Sequence, residues 1–339
     1  MNRRTITASV LAAAALLAVT GCQKQNGITT GETVSFGVSV AGQSGAKAAS
    51  GTRAVLYNSA DDIQTDGSAF ACSAYNSSKG ASVFTGETVT YSSGKWSATK
   101  DYTWQPGETL KFHAVYPATA AGTGDGNAVI ASGGTGIGIT NYAVADNAAS
   151  QIDLMLGYFT GNGQTSGVAN IKFDHPFTAV RFKMGDLETF IPGFSGITSI
   201  TISGVYTGGT LAKWNGGSTF TWTPASDTKT VTMNVSGTFT EGADIVGTDD
   251  NAKAFTLIPQ NLSSKPATIT VNYNATTPGS IVAAINSVPS SGDTWKSGKV
   301  YTYTINFKTM VLTIDDSGAV QTWATETVTD PVEADDKVN

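Results

Sequence analysis

The sequence holds two His and two Cys in 339 residues. A structural zinc site wants about four nitrogen or sulfur ligands. If Cys22 is consumed in processing, His113, His175 and Cys72 supply three. That disfavours transition-metal chemistry, and no metal or cofactor is expected. Charge is scarce too, at 14% of residues against about 25% in an average soluble protein. The net charge is −6 with no basic cluster, which argues against a nucleic-acid partner. Beyond the first twenty-two residues no stretch is long and apolar enough to cross a bilayer. Nor does any long window there carry helical periodicity. Cys72 lacks a second thiol to pair with, so no disulfide forms within the monomer. In Phe70-Ala71-Cys72 it reads as a small buried hydrophobe.

What replaces charge is Thr, Ser and Gly (38 Gly), alongside 40% hydrophobic residues. That mixture suits strands and turns and is not the composition of a disordered chain. The length fits about two domains.

The N-terminus is an address. Arg3 and Arg4 precede an apolar stretch from Ala8 to Val19 that is too short to span comfortably, so residues 1–21 read as a signal peptide. The stretch leads into Val19-Thr20-Gly21-Cys22, which resembles the bacterial lipobox. In that motif the Cys is acylated and becomes the new N-terminus. Ordinary cleavage leaving Cys22 a free thiol is the alternative.

Downstream, Val34, Phe36, Val38 and Val40 alternate with small residues. That period of two predicts a half-buried strand over Thr33 to Val40. Ala41 to Arg53 reads as a flexible loop. Further strands are expected at Phe70–Tyr75, Thr88–Tyr91, Trp96–Thr99, Thr109–Tyr116, Val168–Phe173 and Phe177–Met184. A second block is expected at Ile197–Val205, Thr219–Trp222, Thr228–Val235, Ala254–Ile258, Ala267–Tyr273, Val300–Phe307, Met310–Ile314 and Val320–Trp323. The Gly-rich Gly122–Gly138 reads as a loop, and Ala143–Leu156 as one short helix. Many short strands between turn signals predict an all-β protein of sandwich type. The division follows: 22–53 a tether plus first strand, 54–186 an N-terminal sandwich, 187–339 a C-terminal one.

Catalytic constellations are lacking. Asp174 and His175 are adjacent, so on a strand they face opposite sides. No nucleophile-elbow GxSxG occurs, and His175 reads as structural. His113 lies opposite the Phe112 face, as a surface or inter-sheet residue. Gly122–Asn127 matches neither a phosphate nor a calcium loop. No catalytic residue is assigned and no enzyme is expected. The six Trp read as core or rim packing, with a glycan-stacking platform as the rival. After the signal only Arg53 and Arg181 remain. Arg181 lies within an expected strand. Arg53 follows a loop of small residues, a preferred nicking site, so an Arg-specific protease finds its target at Arg53-Ala54. The alternative is a solvated loop arginine.

Several segments, in order, resemble the fimbrillin family of Bacteroidetes, the subunits of type V pili. They are the lipobox with its isolated strand and Thr52-Arg53-Ala54; Trp104 to Pro117; Phe173-Asp174-His175-Pro176-Phe177-Thr178-Ala179-Val180; Leu257-Ile258-Pro259-Gln260; and Tyr301 to Phe307 with Trp323. In the second segment Gln105 intervenes between the Trp and the Pro of the family pattern. The resemblance implies two transthyretin-like β-sandwich domains in tandem and a lipoprotein held at the cell outer membrane through Cys22. It also implies that an Arg-specific protease cuts after Arg53. The removable strand would carry Val34, Phe36, Val38 and Val40, and donor-strand exchange with other pilus subunits would follow, giving a fimbrium on the cell surface. The candidate donor carries Met310, Leu312, Ile314, Val320 and Trp323. A host or glycan receptor is a further expected partner. Shaft and tip positions both stay open. The rival function is a monomeric surface lipoprotein that binds glycans.

Overall fold

The computed structural model describes residues 33–41, 57, 59–67, 69–162, 167–185, 191–248, 253–286, 288, 292–307, 313–315 and 320–322, the last two stretches by backbone alone. Along the chain β1 (Ser35–Val40) precedes α1 (Ala60–Asp66), β2 (Phe70–Asn76), β3 (Ala81–Ser92), β4 (Lys95–Ala98), β5 (Leu110–Tyr116), β6 (Ala128–Ile130), β7 (Ile137–Ala143), β8 (Met155–Gly161) and β9 (Val168–Asp174). Then come β10 (Thr178–Met184), β11 (Gly196–Val205), β12 (Gly208–Trp214), β13 (Trp222–Pro224), β14 (Lys229–Gly237), β15 (Asp244–Ile245), β16 (Phe255–Leu257), β17 (Ala267–Asn274), β18 (Gly279–Ile285), β19 (Lys299–Asn306), β20 (Thr313–Asp315) and β21 (Val320–Thr322). The protein is all-β, as its composition implies.

In the N-terminal half seven strands close into a barrel in the order β1-β4-β3-β2-β5-β8-β9. Alternation explains what each strand buries. In β5, Leu110, Phe112, Ala114 and Tyr116 join the barrel interior with Phe70 and Phe173. Val115 points the other way, into a second core with Ile137, Ile139, Leu211 and Trp214. A strand buried on both faces reads as a nearly continuous apolar run, which is why β5 stands out in the sequence.

That second core is covered by a four-stranded sheet, β13-β12-β7-β6. One hairpin comes from each half, and Leu211 of β12 pairs with Ile139 of β7. The C-terminal half is a sandwich. One sheet carries β10 and β19 with β15, β16, β20 and β21; the other runs β14-β11-β17-β18. Between them lie Val180, Phe182, Ile200, Ile202, Val231, Ile269, Val271 and Tyr303.

The structure departs from the sequence expectations in particular places. Thr178–Met184, assigned to the unit 54–186, pairs in parallel with β19 along its whole length. Gly122–Gly138 contains β6 and the start of β7, and Ala143–Leu156 holds only a 3-10 turn at Ala148–Ser150. The strand expected at Thr219–Trp222 starts at Trp222. β8, β12, β18 and α1 were not expected at all. The helix is a single short segment, capped by Ser59, which accepts from Asp62 N–H while the Asp62 carboxylate accepts from Ser59 N–H.

Candidate functional site

β1 is the strand on which the barrel closes. On one side it runs parallel to β9, from Ser35 opposite Val168 to Val40 opposite Phe173. On the other it meets β4 at a single antiparallel pair, Phe36 and Trp96. Its alternation sets its burial. Val34, Phe36 and Val40 are buried, and Val38 packs half-buried against the same core. Ser35 faces solvent and Ser39 is half-buried. Phe36 lies between Phe70 and Phe112, with both ring centroids at 6.2 Å and both pairs edge-on. Each large apolar side chain so buried contributes about 1.5–3 kcal/mol before entropy is subtracted.

Hydrogen bonds fix both ends. Val34 N–H donates to Tyr102 C=O at 2.7 Å and Ser35 N–H to Gly167 C=O at 3.2 Å. The same Gly167 carbonyl accepts from the indole N–H of fully buried Trp104 at 2.7 Å. At the far end Ala41 N–H donates to Phe173 C=O at 2.8 Å. Beside that carbonyl Lys172 pairs with Asp174 at 3.3 Å. Burial pushes the Asp174 carboxyl upward, an effect that Lys172 opposes.

The chain re-enters the described structure at Tyr57, against the same barrel. Tyr57 N–H donates to Asp153 Oδ2 at 2.8 Å. Its ring sits edge-on to Tyr116 with centroids 5.2 Å apart, and the Tyr116 hydroxyl donates to Asp66 at 2.8 Å. Asp153 Oδ1 is 2.8 Å from His175 Nδ1, and both side chains are wholly enclosed. Tyr57 is thus fastened to a buried His–Asp pair.

Of the predicted site residues, the structure brings Val34, Phe36, Val38 and Val40 together in the barrel core. Cys22, Arg53, Ala54, Met310, Leu312 and Trp323 lie outside the described residues. Ile314 and Val320 belong to β20 and β21, which run antiparallel to β19 of the same chain; Ile314 faces Ile305 and Val320 faces Tyr301. His113 is an inter-sheet residue. Its Nε2 donates to Asn215 Oδ1 at 2.8 Å, from β5 to the segment after β12. The five described Trp are packed rather than displayed: Trp96, Trp104, Trp214 and Trp295 are buried, and Trp222 stacks on Phe177. Cys72 is buried in the barrel with its thiol pushed upward by burial. Among the described residues no three His, Cys, Asp or Glu come together as a metal site. Sequence reasoning missed Asp153 and the Trp104–Gly167 bond. Each acts through a partner distant in sequence, which local periodicity does not reveal.

No curated protein matches this chain by sequence. In three dimensions it is similar to a candidate cell adhesion protein from Bacteroides uniformis, at 17% identity and a TM-score of 0.57, covering 86% of this chain and 98% of that one. A second candidate cell adhesion protein, from Bacteroides ovatus, gives 12% identity and 0.55, covering 87% and 99%. A fimbrial protein from Bacteroides vulgatus gives 16% and 0.52, covering 86% and 99%. At such identities the likeness carries the fold. The family model described as fimbrillin-like matches residues 52–323, both halves of the molecule but not β1, and on that match the chain belongs to the fimbrillin-like family.

Proposed function

We propose that this chain is a pilus subunit or pilus adhesin with a structural rather than enzymatic role. On this reading it is exported as a lipoprotein anchored through Cys22 in the outer membrane and is made competent for assembly by losing β1. The observation that carries the reading is the position of β1. It fills the barrel core, yet it joins the rest of the barrel only through residues 42–56, which include Arg53. β10 makes an instructive contrast. It runs parallel to β19 as β1 runs parallel to β9, but only Asp174–Phe177 and their immediate neighbours connect it to the barrel, and no Arg lies there. The family match beginning at Thr52 also supports the reading, because what the family shares starts after β1.

In physical terms the precursor is closed and silent. Hydrolysis after Arg53 turns β1 into a separate peptide that leaves with the lipid anchor. An apolar slot and the unpaired edges of β4 and β9 remain, which is an unstable state. A strand from another subunit fills the slot by β-augmentation. Acceptor and donor surfaces differ, so the contact is head-to-tail and propagates as a filament. The donor candidates are Met310, Leu312, Ile314, Val320 and Trp323. Since β20 and β21 lie along β19, donation requires them to leave it. A tip subunit would keep them in place and only accept.

The test is to incubate purified precursor with an Arg-specific protease, then read the N-terminal sequence and the size. A new N-terminus at Ala54, loss of the β1 peptide and higher oligomers support the proposal. A cut protein that keeps β1, or that stays monomeric and binds carbohydrate, sinks it and favours the glycan-binding rival.

A further inference from the structure

A cavity of about 270 Å³ lies where the two halves meet, and no residue of β1 lines it. Its walls come from the 3-10 turn Ala118–Ala120, the end of β7, residues 150–152, Phe177 at the crossover between the halves, and Thr256 of β16. Among the described residues no charged side chain lines it. Alternation aims Thr256 at this space. Phe255 and Leu257 point into the sandwich core, so Thr256 between them points the other way. The residue is 3% exposed, and its hydroxyl has no hydrogen-bond partner among the described residues. Gln151, also buried, braces the wall. Its Nε2 donates to Ala145 C=O at 2.9 Å and its Oε1 accepts from Thr256 N–H at 2.7 Å.

Tyr142 supplies a second hydroxyl. Its ring packs against Phe177 with centroids 5.0 Å apart, and its O–H has no partner among the described residues. Burial raises its pKa and nearby Asp153 adds to the effect, so the group stays protonated and can donate. Thr119 and Ser150 place two more hydroxyls at the exposed rim. Each hydroxyl can donate once and accept twice. The matching ligand carries hydroxyls of its own and has apolar C–H groups to lie against the Tyr142 and Phe177 rings. A carboxylate or ammonium placed here would find no counter-charge. At about 30 Å³ per water the cavity holds about nine waters. That is room for one sugar ring, and less than the roughly 300–1,000 Å³ of drug-sized sites, which likewise favour domain junctions.

We propose that this cavity binds a single neutral sugar unit, with the Thr256 and Tyr142 hydroxyls bonded to the sugar hydroxyls and Gln151 as a positioning residue. The unit is a free monosaccharide or the terminal residue of a glycan chain. The site does not depend on the loss of β1, since its walls are in place in the uncut chain. It goes beyond the assembly reading by giving the molecule a ligand at the junction of its halves.

The test titrates the uncut full chain by calorimetry with the methyl glycosides of glucose, galactose, mannose, fucose and N-acetylglucosamine, and with methyl glucuronide as the charged control. At least one neutral glycoside should bind at millimolar concentration or below, and the glucuronide should bind more weakly. Thr256→Val and Tyr142→Phe keep the shape of the wall and each remove one hydroxyl. Each should weaken binding at least about fivefold, the scale of one lost hydrogen bond, with the apparent Tm unchanged. A trisaccharide ending in the preferred sugar that binds more tightly than its methyl glycoside identifies a glycan end as the ligand; weaker binding identifies the free sugar. The proposal is overturned if no neutral glycoside binds at tens of millimolar, if both variants bind as the unaltered chain does, or if the glucuronide binds as well as the neutral sugars. Binding by the uncut chain says nothing of assembly, which the protease test decides, so the two readings fail separately.

Discussion

The ring of Phe36 stands edge-on to the ring of Phe112, with centroids 6.2 Å apart and planes at 89°. One ring belongs to the first strand and the other to the middle of the barrel. Phe112 also contacts Phe84, Trp104 and Phe159, so Phe36 completes an aromatic cluster. Phe36→Ala would leave a cavity that these rigid rings fill poorly. Such truncations cost about 3–5 kcal/mol, and the loss should fall on the retention of β1. We expect Phe36→Ala precursor to show a lower denaturant midpoint and, once cut, to release the β1 peptide faster than the unaltered chain. Release at an unchanged rate would show that the hydrogen bonds at Val34, Ser35 and Ala41 hold the strand, not the ring.

A second prediction concerns Asp153. Its carboxylate accepts from Tyr57 N–H and from His175. Each buried donor left without its acceptor costs about 1–3 kcal/mol, and here two are left. Asp153→Ala should therefore destabilise the whole chain. It should also raise amide exchange at Tyr57 more than at Phe112 in the barrel centre. If the two amides respond alike, the residue supports the barrel generally and is no particular anchor for the chain downstream of residues 42–56.

Much of this was legible in the sequence, and the residues show why. Val34, Phe36, Val38 and Val40 alternate with small residues because one face of β1 is buried and the other is not. β5 and β9 read equally well, since their apolar residues are long and regularly spaced. β12 and β18 did not: Gly-Gly-Thr-Leu-Ala-Lys-Trp and Gly-Ser-Ile-Val-Ala-Ala-Ile carry too few large apolar residues to show a period. β12 is held by pairing with β7 of the other half, a contact no local window contains. α1 was missed because one short segment has no periodicity to display, although Ser59 and Asp62 are a recognisable cap. The polar residues of the site stayed hidden for the same reason as β12. Asp153 matters only because Tyr57 and His175 lie against it.

The junction between the halves should weaken in acid. His113 is buried, and burial lowers its pKa, an effect its bond to Asn215 opposes and nearby Lys111 reinforces. Beside it in the same barrel its register partner on β8 is Tyr158, with ring centroids at 5.2 Å. The unfolded chain then binds a proton at a higher pH than the folded one, near the ordinary histidine value of about 6.5. Stability on this account is full above that value and falls as the pH drops below it. Asp174 works oppositely. Its raised pKa makes the folded state the better proton acceptor, at lower pH, above the ordinary carboxylate value. Tm measured from pH 7.5 to 5 should fall for the unaltered chain and be flatter for His113→Gln. Parallel curves would remove His113 from the account.

Cys72 offers a direct view of the slot. The thiol lies in the barrel core that holds Val34, Phe36 and Val40, and burial pushes its pKa upward. Because the thiolate is the reactive form, the closed precursor should resist alkylation on both counts, access and ionisation. The only other Cys is Cys22, so a Cys22→Ser chain reports Cys72 alone. Cleavage after Arg53 without loss of β1 leaves the core closed and the thiol protected. Loss of β1 opens the core beside Phe70 and Phe173 and should raise the labelling rate by at least about tenfold, if the slot exchanges as partly unfolded cores do. Adding a strand that refills the slot should return the rate to that of the precursor. Labelling that rises on cutting alone, while the β1 peptide is still bound, would mean that residues 42–56 guard the core and that β1 is not its plug.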